Sequence, residues 1–384
     1  MDQKSIRTVI MRGGTSKAMF LREEDLPQDK AKRDQIILKV FGSPDVRQID
    51  GLGGADPLTS KLAIIAKSDK PNADVEYTFG QVSYVAPLID YSGNCGNISS
   101  AVGPYAVDEG LVQIEEPVTT VRILNTNTGK MLYEKVQVEG GKAKVKGDYV
   151  IAGVPGSGAE VVVDFSDTAG SATGKLLPTG NVLDEIEVAG FGKIQASLVD
   201  AANPVVFVRA ADLGMTGIET PKQIDENGKL LAALEEIRGK AAVMMGLCGK
   251  WEDAVKEIPA FPMVAYVAPA QGYNDFTTGK AIAESDVDFV SRLLFMQVTH
   301  KTYAGTATTC TGAAARIEGT VVHQAMMAKD RGKDIAVRIG HPAGVIALNV
   351  AAEQRNGDWT LTRAEVNRTA RRIMEGTCYY IDSE

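Results

Sequence analysis

The sequence predicts an α+β protein built from two similar halves. Three observations support this. Strand-like runs dominate the first half, helices are interspersed with strands in the second without strict βαβ alternation, and one short pattern occurs once in each half. In the first half, Ile6–Met11, Leu62–Ala66, Val75–Val85, Val118–Leu124, Met131–Val138 and Val161–Phe165 are β-branched or alternating. A helix is expected over Lys30–Phe41, stopped by Gly42. In the second half, Leu230, Leu231, Leu234, Ile237 and Ala241 recur at helical spacing. Val287–His300 is expected as a further helix, with Ser285 and Asp288 resembling a capping box. Thr362 and Glu365 form a second box, opening a helix that runs to Glu375 and ends at Gly376. Strands are expected at Gln195–Val199, Val205–Val208, Met263–Val267, Ile335–Arg338 and Val345–Val350. The Gly-, Ser- and Thr-rich stretch Ser166–Thr179 reads as a linker.

The repeated pattern is a small polar turn carrying a cysteine ahead of an Ala-rich run. It occurs as Ser92-Gly93-Asn94-Cys95-Gly96-Asn97 and again as Thr308-Thr309-Cys310-Thr311-Gly312. Two such turns, one per half, suggest a duplicated domain. The expected limits are 1–184 and 185–376, with 377–384 able to return as a strand to the first.

Composition narrows the function. The chain of 384 residues carries 41 basic against 49 acidic side chains, a net charge of −8, which argues against a nucleic-acid or membrane-surface partner. Four cysteines exclude a disulfide scaffold. The start Met-Asp-Gln-Lys-Ser shows no signal peptide and no apolar run reaches membrane-spanning length, so a cytoplasmic protein with reduced thiols is expected. His300, His323 and His341 are the only histidines, and the cysteines are far apart, which is not metal-ligand spacing. No G-x-G-x-x-G, Walker or G-x-S-x-G sequence is present; Gly279-Lys280-Ala281 lacks the hydroxyl that would hold magnesium. No metal and no organic cofactor is therefore expected.

Three stretches can carry chemistry. Cys95 at a helix start would face unpaired N–H groups and the positive end of the helix dipole, conditions that favour thiolate and can also hold a carboxylate. Gly93 and Gly96 would let a ligand approach; the plainer alternative is a buried structural cysteine. Cys310 reads alike with less glycine, whereas Cys248 and Cys378 lie in apolar surroundings and read as inert. Lys61 follows Gly51-Leu52-Gly53-Gly54-Ala55-Asp56-Pro57 and Thr59-Ser60 and enters the apolar run Leu62–Ile65. Desolvation there would make its amine a usable base, the alternative being a snorkelling surface lysine. Met11-Arg12-Gly13-Gly14-Thr15-Ser16-Lys17 is a Gly-Gly turn suited to an anion nest or to an ordinary hairpin.

Taken in order, Arg12-Gly13-Gly14-Thr15-Ser16-Lys17, Gly53-Gly54-Ala55-Asp56 with Thr59-Ser60-Lys61, and Ser92–Asn97 resemble the motifs of the PrpF-type isomerases, a 2-methylaconitate isomerase-like family. His300-Lys301-Thr302-Tyr303-Ala304 and Gly340-His341-Pro342-Ala343-Gly344 resemble its later motifs, so the likeness covers nearly the whole chain. It is greatest to the branch acting on 3-methylitaconate. The resemblance implies the diaminopimelate epimerase fold: two pseudo-equivalent domains, each a curved, mostly antiparallel sheet around a central helix, with the active site in the cleft between them. It implies cofactor-independent chemistry on a small unsaturated di- or tricarboxylate, with homo-oligomerisation left open. Lys61 and Cys95 match the family's catalytic lysine and cysteine. Thr15, Ser16, Asn94, Gly96, Asn97, Lys301, Cys310, Thr311 and Gly312 are the expected substrate-binding residues. The epimerases use two opposed cysteines, and Cys310 leaves that arrangement open by residue type.

The implied reaction is an allylic 1,3-proton shift, 3-methylitaconate to 2,3-dimethylmaleate, in which helix-start N–H donors stabilise the dienolate by about 3–4 kcal/mol each. Arg12, Lys17 and Lys301 are the local cations that would offset the chain's negative charge for an anionic substrate. Alternatives are 2-methylaconitate cis–trans isomerisation or oxalomesaconate tautomerisation. A non-catalytic dicarboxylate-binding protein is a reading of a different class, and an amino-acid racemase a third, though no carboxylate for an ammonium group is evident.

Overall fold

The computed structural model describes residues 3–326 and 336–381. Its contacts divide the chain into two units, 1–163 with 368–384, and 164–367. The sequence reading placed the division at 184/185 and the returning strand at 377–384. The segment 166–179, read as a linker, is pinned within the second unit. Asp200 accepts hydrogen bonds from Ser171 Oγ (2.8 Å) and from the Ala172 and Thr173 N–H groups (2.8 and 2.7 Å). Its richness in Gly, Ser and Thr reflects a hydrogen-bonded turn, and Leu176 and Leu177 at its end are buried.

The first unit contains β1 (Gln3–Gly13), β2 (Ser16–Arg22), α1 (Lys30–Phe41), β3 (Lys61–Lys67), β4 (Val75–Val82), β5 (Ile89–Asp90), α2 (Gly96–Ser99), α3 (Val102–Asp108), β6 (Val118–Asn125), β7 (Lys130–Glu139), β8 (Lys142–Ala143) and β9 (Val161–Asp164). The second contains β10 (Asp184–Val188), β11 (Gly192–Ala201), β12 (Asn203–Arg209), α4 (Pro221–Asp225), α5 (Gly228–Met244), α6 (Ala254–Glu257), β13 (Met263–Pro269), β14 (Tyr273–Asn274) and β15 (Ala281–Ile282). It continues through β16 (Phe289–Phe295), β17 (Val298–Thr299), α7 (Gly305–Arg316), α8 (Val321–Met326), β18 (Val337–His341), β19 (Gly344–Arg355) and β20 (Asp358–Arg368). Then β21 (Ala370–Ile381) returns to pair with β1 along its full length, from Gln3 opposite Ile381 to Gly13 opposite Ala370.

The two units repeat one topology. In the first, β1–β2 is antiparallel, β2–β3 parallel, β3–β4 antiparallel, β4–β6 parallel and β6–β7 antiparallel. In the second, β11–β12, β12–β13, β13–β16, β16–β18 and β18–β19 follow the same order. Each first parallel connection carries a helix that covers one sheet face, α1 through Ile37, Val40 and Phe41 and α5 through Leu230, Leu234 and Ile237. Each second parallel connection carries an almost entirely buried helical run, α2–α3 and α7. This is the sheet wrapped on a central helix.

The repeat extends to side chains. Before β4, Asp74 accepts the Arg122 backbone N–H (2.8 Å) and its guanidinium (2.7 Å), while Arg122 Nη1 donates to the Pro71 carbonyl (3.1 Å). Before β16, Asp288 takes the Arg338 N–H (2.8 Å) and guanidinium (2.9 Å), and Arg338 Nη1 donates to the Ser285 carbonyl (2.8 Å). Each carboxylate thus fixes the register of a parallel pair, which has no hairpin to set it.

The helix over Lys30–Phe41 forms with Asp29 as N-cap and Gly42 left-handed at φ 74° as C-cap. Two expected helices are strands. Val287–His300 is β16 and β17: every residue of Phe289–Phe295 is buried, so a strand covered on both faces mimics an apolar helix, and Asp288 is the register clamp. Thr362–Glu375 spans β20 and β21: Thr362 Oγ1 donates to the Ala351 carbonyl and Glu365 pairs with Arg363 two residues away, a same-face spacing in a strand. Gly376 sits within β21 opposite Thr8. Of the expected strand Ile335–Arg338, Ile335 lies outside the described residues.

Glu134, on β7, is fully buried and accepts the Gly103 N–H (2.8 Å) in the first turn of α3. Burial raises its carboxyl well above the usual range, against the pull of that N–H. Such a raised group stabilises the fold fully below its unfolded pKa, and that contribution is lost as pH climbs toward the folded value. Glu134→Gln keeps the acceptor oxygen and cannot ionise. Thermal denaturation should find it more stable than the parent at pH 7, with the difference closing toward pH 4. Equal melting shifts at both pH values would contradict this.

Candidate active site

The three motif stretches converge within the first unit. The β1–β2 turn presents Gly13 and Gly14 to the polypeptide at Asn97. A Cβ on Gly13 would overlap the Asn97 carbonyl, and one on Gly14, which has φ +50°, would overlap its carboxamide. Asn97 Nδ2 donates to Thr15 Oγ1 (3.1 Å), and the buried Arg368 donates from Nε to Asn97 Oδ1 (3.1 Å). Burial lowers the Arg368 guanidinium to about 10. Arg12 Nη1 is tied to the Gly14 and Thr369 carbonyls (2.8 and 2.7 Å), and burial lowers its guanidinium also. The glycines therefore serve close packing of one motif on another. Ser16 is buried, and its Oγ has no hydrogen-bond partner among the described residues.

Lys61 is the first residue of β3, flanked by Ala18 of parallel β2 and Gln81 of antiparallel β4. Its strand follows the loop Gly51–Ser60, which is closed by Gln48. That side chain accepts the Ala55 N–H (2.8 Å) and donates to Ser60 Oγ (2.9 Å). A Cβ on Gly53 would overlap Gln48, and one on Gly54 would overlap Thr59. The loop delivers Lys61 to the interior with 3% of its surface exposed. Nζ donates to Gln81 Oε1 at 2.6 Å and lies 5.3 Å from the centre of the Phe79 ring, with the Cys95 thiol near enough to act on its charge. Burial lowers the Lys61 amine below its ordinary value, while Cys95 and then Asp56 pull it back up.

Cys95 is partly exposed and forms the N-cap of α2. Its N–H donates to Asn94 Oδ1 (2.7 Å), its carbonyl accepts the Ser99 N–H (2.8 Å), and Asn94 and Ser99 are hydrogen-bonded to each other. Gly96 and Asn97 follow as buried residues of α2. Tyr77 of β4 faces Cys95 and Ser99 from within the core.

The second unit places its expected residues differently. The cysteine turn does not open α7: the helix starts at Gly305 behind Ala304, and Cys310 lies more than a turn inside. Fully buried, Cys310 donates its thiol to the Val199 carbonyl (3.2 Å), and burial pushes its acidity far down. Thr308–Gly312, read as a small polar turn, lies within the helix, where Thr308 and Thr309 bond back to the Ala304 and Gly305 carbonyls. Thr311 Oγ1 pairs with Tyr303 Oη (3.0 Å), which also meets Ser291 Oγ (2.8 Å). Gly312 leaves room for Leu348 and Val350. Lys301 is exposed beyond β17. Within this unit, the side chains of Cys310 and Thr311 serve internal packing.

Sequence reasoning missed Gln81, Gln48, Tyr77 and Arg368. Gln81 could have been found from the β3–β4 register, which sets it across from Lys61; the others carry no local signal.

Among the described residues, no group of three or more His, Cys, Asp and Glu side chains is placed to hold a metal ion, and no helix is long and apolar enough to cross a membrane. The PrpF protein family matches residues 3–381. The chain is 58% identical to 3-methylitaconate isomerase of Eubacterium barkeri over 98% of each chain. The crystal structure of a methylitaconate-Δ-isomerase, also 58% identical, superposes with a TM-score of 0.82, covering 99% of this chain and 97% of that one. A hydroxyproline epimerase from Agrobacterium vitis superposes with a TM-score of 0.59 at 11% identity, covering 98% and 93%. That likeness bears on the fold alone: the α+β, two-domain architecture of the diaminopimelate epimerase type.

The four thiols should differ in reach. Brief alkylation of the native protein, mapped by mass spectrometry, should modify Cys95 and spare Cys310 until the protein is unfolded in guanidinium. Native labelling of Cys310 at the rate of Cys95 would contradict the burial described.

Proposed function

From the premise that the chain belongs to the PrpF family, we propose that it is a cofactor-independent isomerase that moves the double bond of 3-methylitaconate to give 2,3-dimethylmaleate. The observation that carries this reading is a buried lysine amine, Lys61, under the electrostatic influence of a partly exposed thiol, Cys95.

The C3 hydrogen of 3-methylitaconate is both allylic and next to a carboxylate. Removing it leaves charge spread over the carboxylate and the C=C. Protonation of the methylene carbon then yields the methyl group of the product, with no net oxidation and no added atoms. Lys61, with its amine lowered by burial, takes the C3 proton. The Cys95 thiol delivers a proton to the methylene carbon. The resulting ammonium returns a proton to the neighbouring thiolate, so the pair is reset after each turnover. Thr15, Ser16, Asn94, Gly96 and Asn97, gathered on the same unit, are the proposed contacts for the substrate carboxylates. Ser16 Oγ has no hydrogen-bond partner among the described residues. Lys301 is proposed as a further cation; its exposure suits an anion arriving from solvent.

Two results should follow. In D2O, a panel of itaconate, 3-methylitaconate, aconitate, 2-methylaconitate and oxalomesaconate followed by NMR should show double-bond migration with deuterium uptake fastest for 3-methylitaconate. A protein that only binds dicarboxylates exchanges no hydrogen, and faster turnover of another acid would reassign the substrate. Because the base must be neutral and its amine is lowered by burial, kcat/KM should rise with pH through an apparent pKa below the lysine reference of about 10.4. A rate that instead falls as pH rises through the neutral range would rule out a neutral amine base.

A further inference from the structure

We infer that Gln81 is the positioning residue for the reaction: it aims Lys61 Nζ toward the thiol and gives the buried amine a neutral hydrogen-bond partner in place of a carboxylate. This rests on Lys61 as the base.

The orientation of the Gln81 carboxamide is fixed by its own surroundings. Nε2 donates to the Pro57 carbonyl (3.2 Å) and the Ser60 carbonyl (2.9 Å), so Oε1 must point the other way, at Lys61 Nζ, 2.6 Å off. The side chain is 2% exposed and stands directly across the β3–β4 ladder from Lys61. Both its ends are therefore committed: one to the loop that precedes β3, the other to the amine. The groups acting on Lys61 come from three sides. Gln81 and the Phe79 ring lie on β4, Cys95 precedes α2, and Asp56 lies in the loop ahead of β3. Asp56 is the only carboxylate among them, and its oxygen Oδ1 already accepts the Leu58 N–H (2.9 Å).

A carboxylate in place of the amide would hold the ammonium form, since an opposite charge at hydrogen-bond distance raises a buried amine strongly. An apolar side chain would leave the amine without an aiming partner. The role is distinct from that of a base or a substrate contact, because Gln81 acts only through Lys61.

Two variants test this. Gln81→Met is close in size and removes both ends of the amide. Of the two carbonyls that lose a donor, Ser60 keeps the Val82 N–H (3.1 Å), so the loop retains one of its ties. Gln81→Glu keeps the shape and adds the charge. The Lys61 15Nζ resonance, assigned by its loss in Lys61→Arg, reports the titration directly, alongside kcat, KM and the pH profile of each folded variant. Gln81→Met should lower kcat by about tenfold or more, within the range of misaligned acid–base catalysis, with KM little changed. Gln81→Glu should raise the Lys61 titration by about one pH unit or more and carry the acid limb of kcat/KM with it. Parental kcat in Gln81→Met, or an unmoved Lys61 titration in Gln81→Glu, overturns the inference. If Gln81→Glu moves the titration but leaves the acid limb in place, Gln81 keeps its role toward Lys61 and the base is another group.

Discussion

The burial of one amine with an amide as its hydrogen-bond partner is the constraint on which the first unit is built. A charged ammonium in the interior costs several kcal/mol unless it is paired, and pairing it with a carboxylate would hold the proton in place. The chain meets this by setting Lys61 at the first position of β3, with Gln81 across the ladder and the Phe79 ring, Cys95 and Asp56 also acting on it. That placement requires the loop ahead of β3 to pack tightly, which Gln48 and the small Gly53 and Gly54 provide. It also requires the Cys95 turn to be held, which Asn94 and Ser99 do locally and the Gly13-Gly14 hairpin does through Asn97.

The second unit throws this arrangement into relief. Its strands follow the same order of parallel and antiparallel pairs, and its Asp288–Arg338 clamp reproduces Asp74–Arg122. At the positions corresponding to the lysine and cysteine it has Met263, first in β13, and Ala304, ahead of α7. Among the described residues, the lysine and thiol at these positions thus occur in the first copy and not in the second. Cys310 lies inside a helix, where its thiol donates to the Val199 carbonyl.

Much of this was legible in the residues. Alternation marked β1, β3, β4, β6 and β7, and the expected helix Lys30–Phe41 with its Gly42 stop coincides with α1. Lys61 and Cys95 stood out because a cation entering an apolar run and a thiol between glycines are locally unusual. The failures have physical causes. Phe289–Phe295 is buried on both faces, and periodicity cannot separate such a strand from a helix. The C-terminal strand is set by pairing with β1, more than 350 residues away in sequence, a partner that no local capping signal reveals. Thr308–Gly312 looked like a turn because threonine is ambiguous between capping a helix and bonding back within one. Gln81 was invisible for a different reason: a glutamine has no distinctive chemistry until the strand register puts it opposite a lysine.

The central claim is that the Lys61 amine takes the allylic proton. Lys61→Arg keeps the positive charge and the capacity to hold a carboxylate but supplies no neutral base near pH 7. Incubated with 3-methylitaconate in D2O, this variant should still bind the acid, as read by ligand-observed NMR, while the C3 hydrogen stays unexchanged and no double bond migrates. Substantial C3 exchange by Lys61→Arg would contradict the assignment and transfer the base role to Cys95.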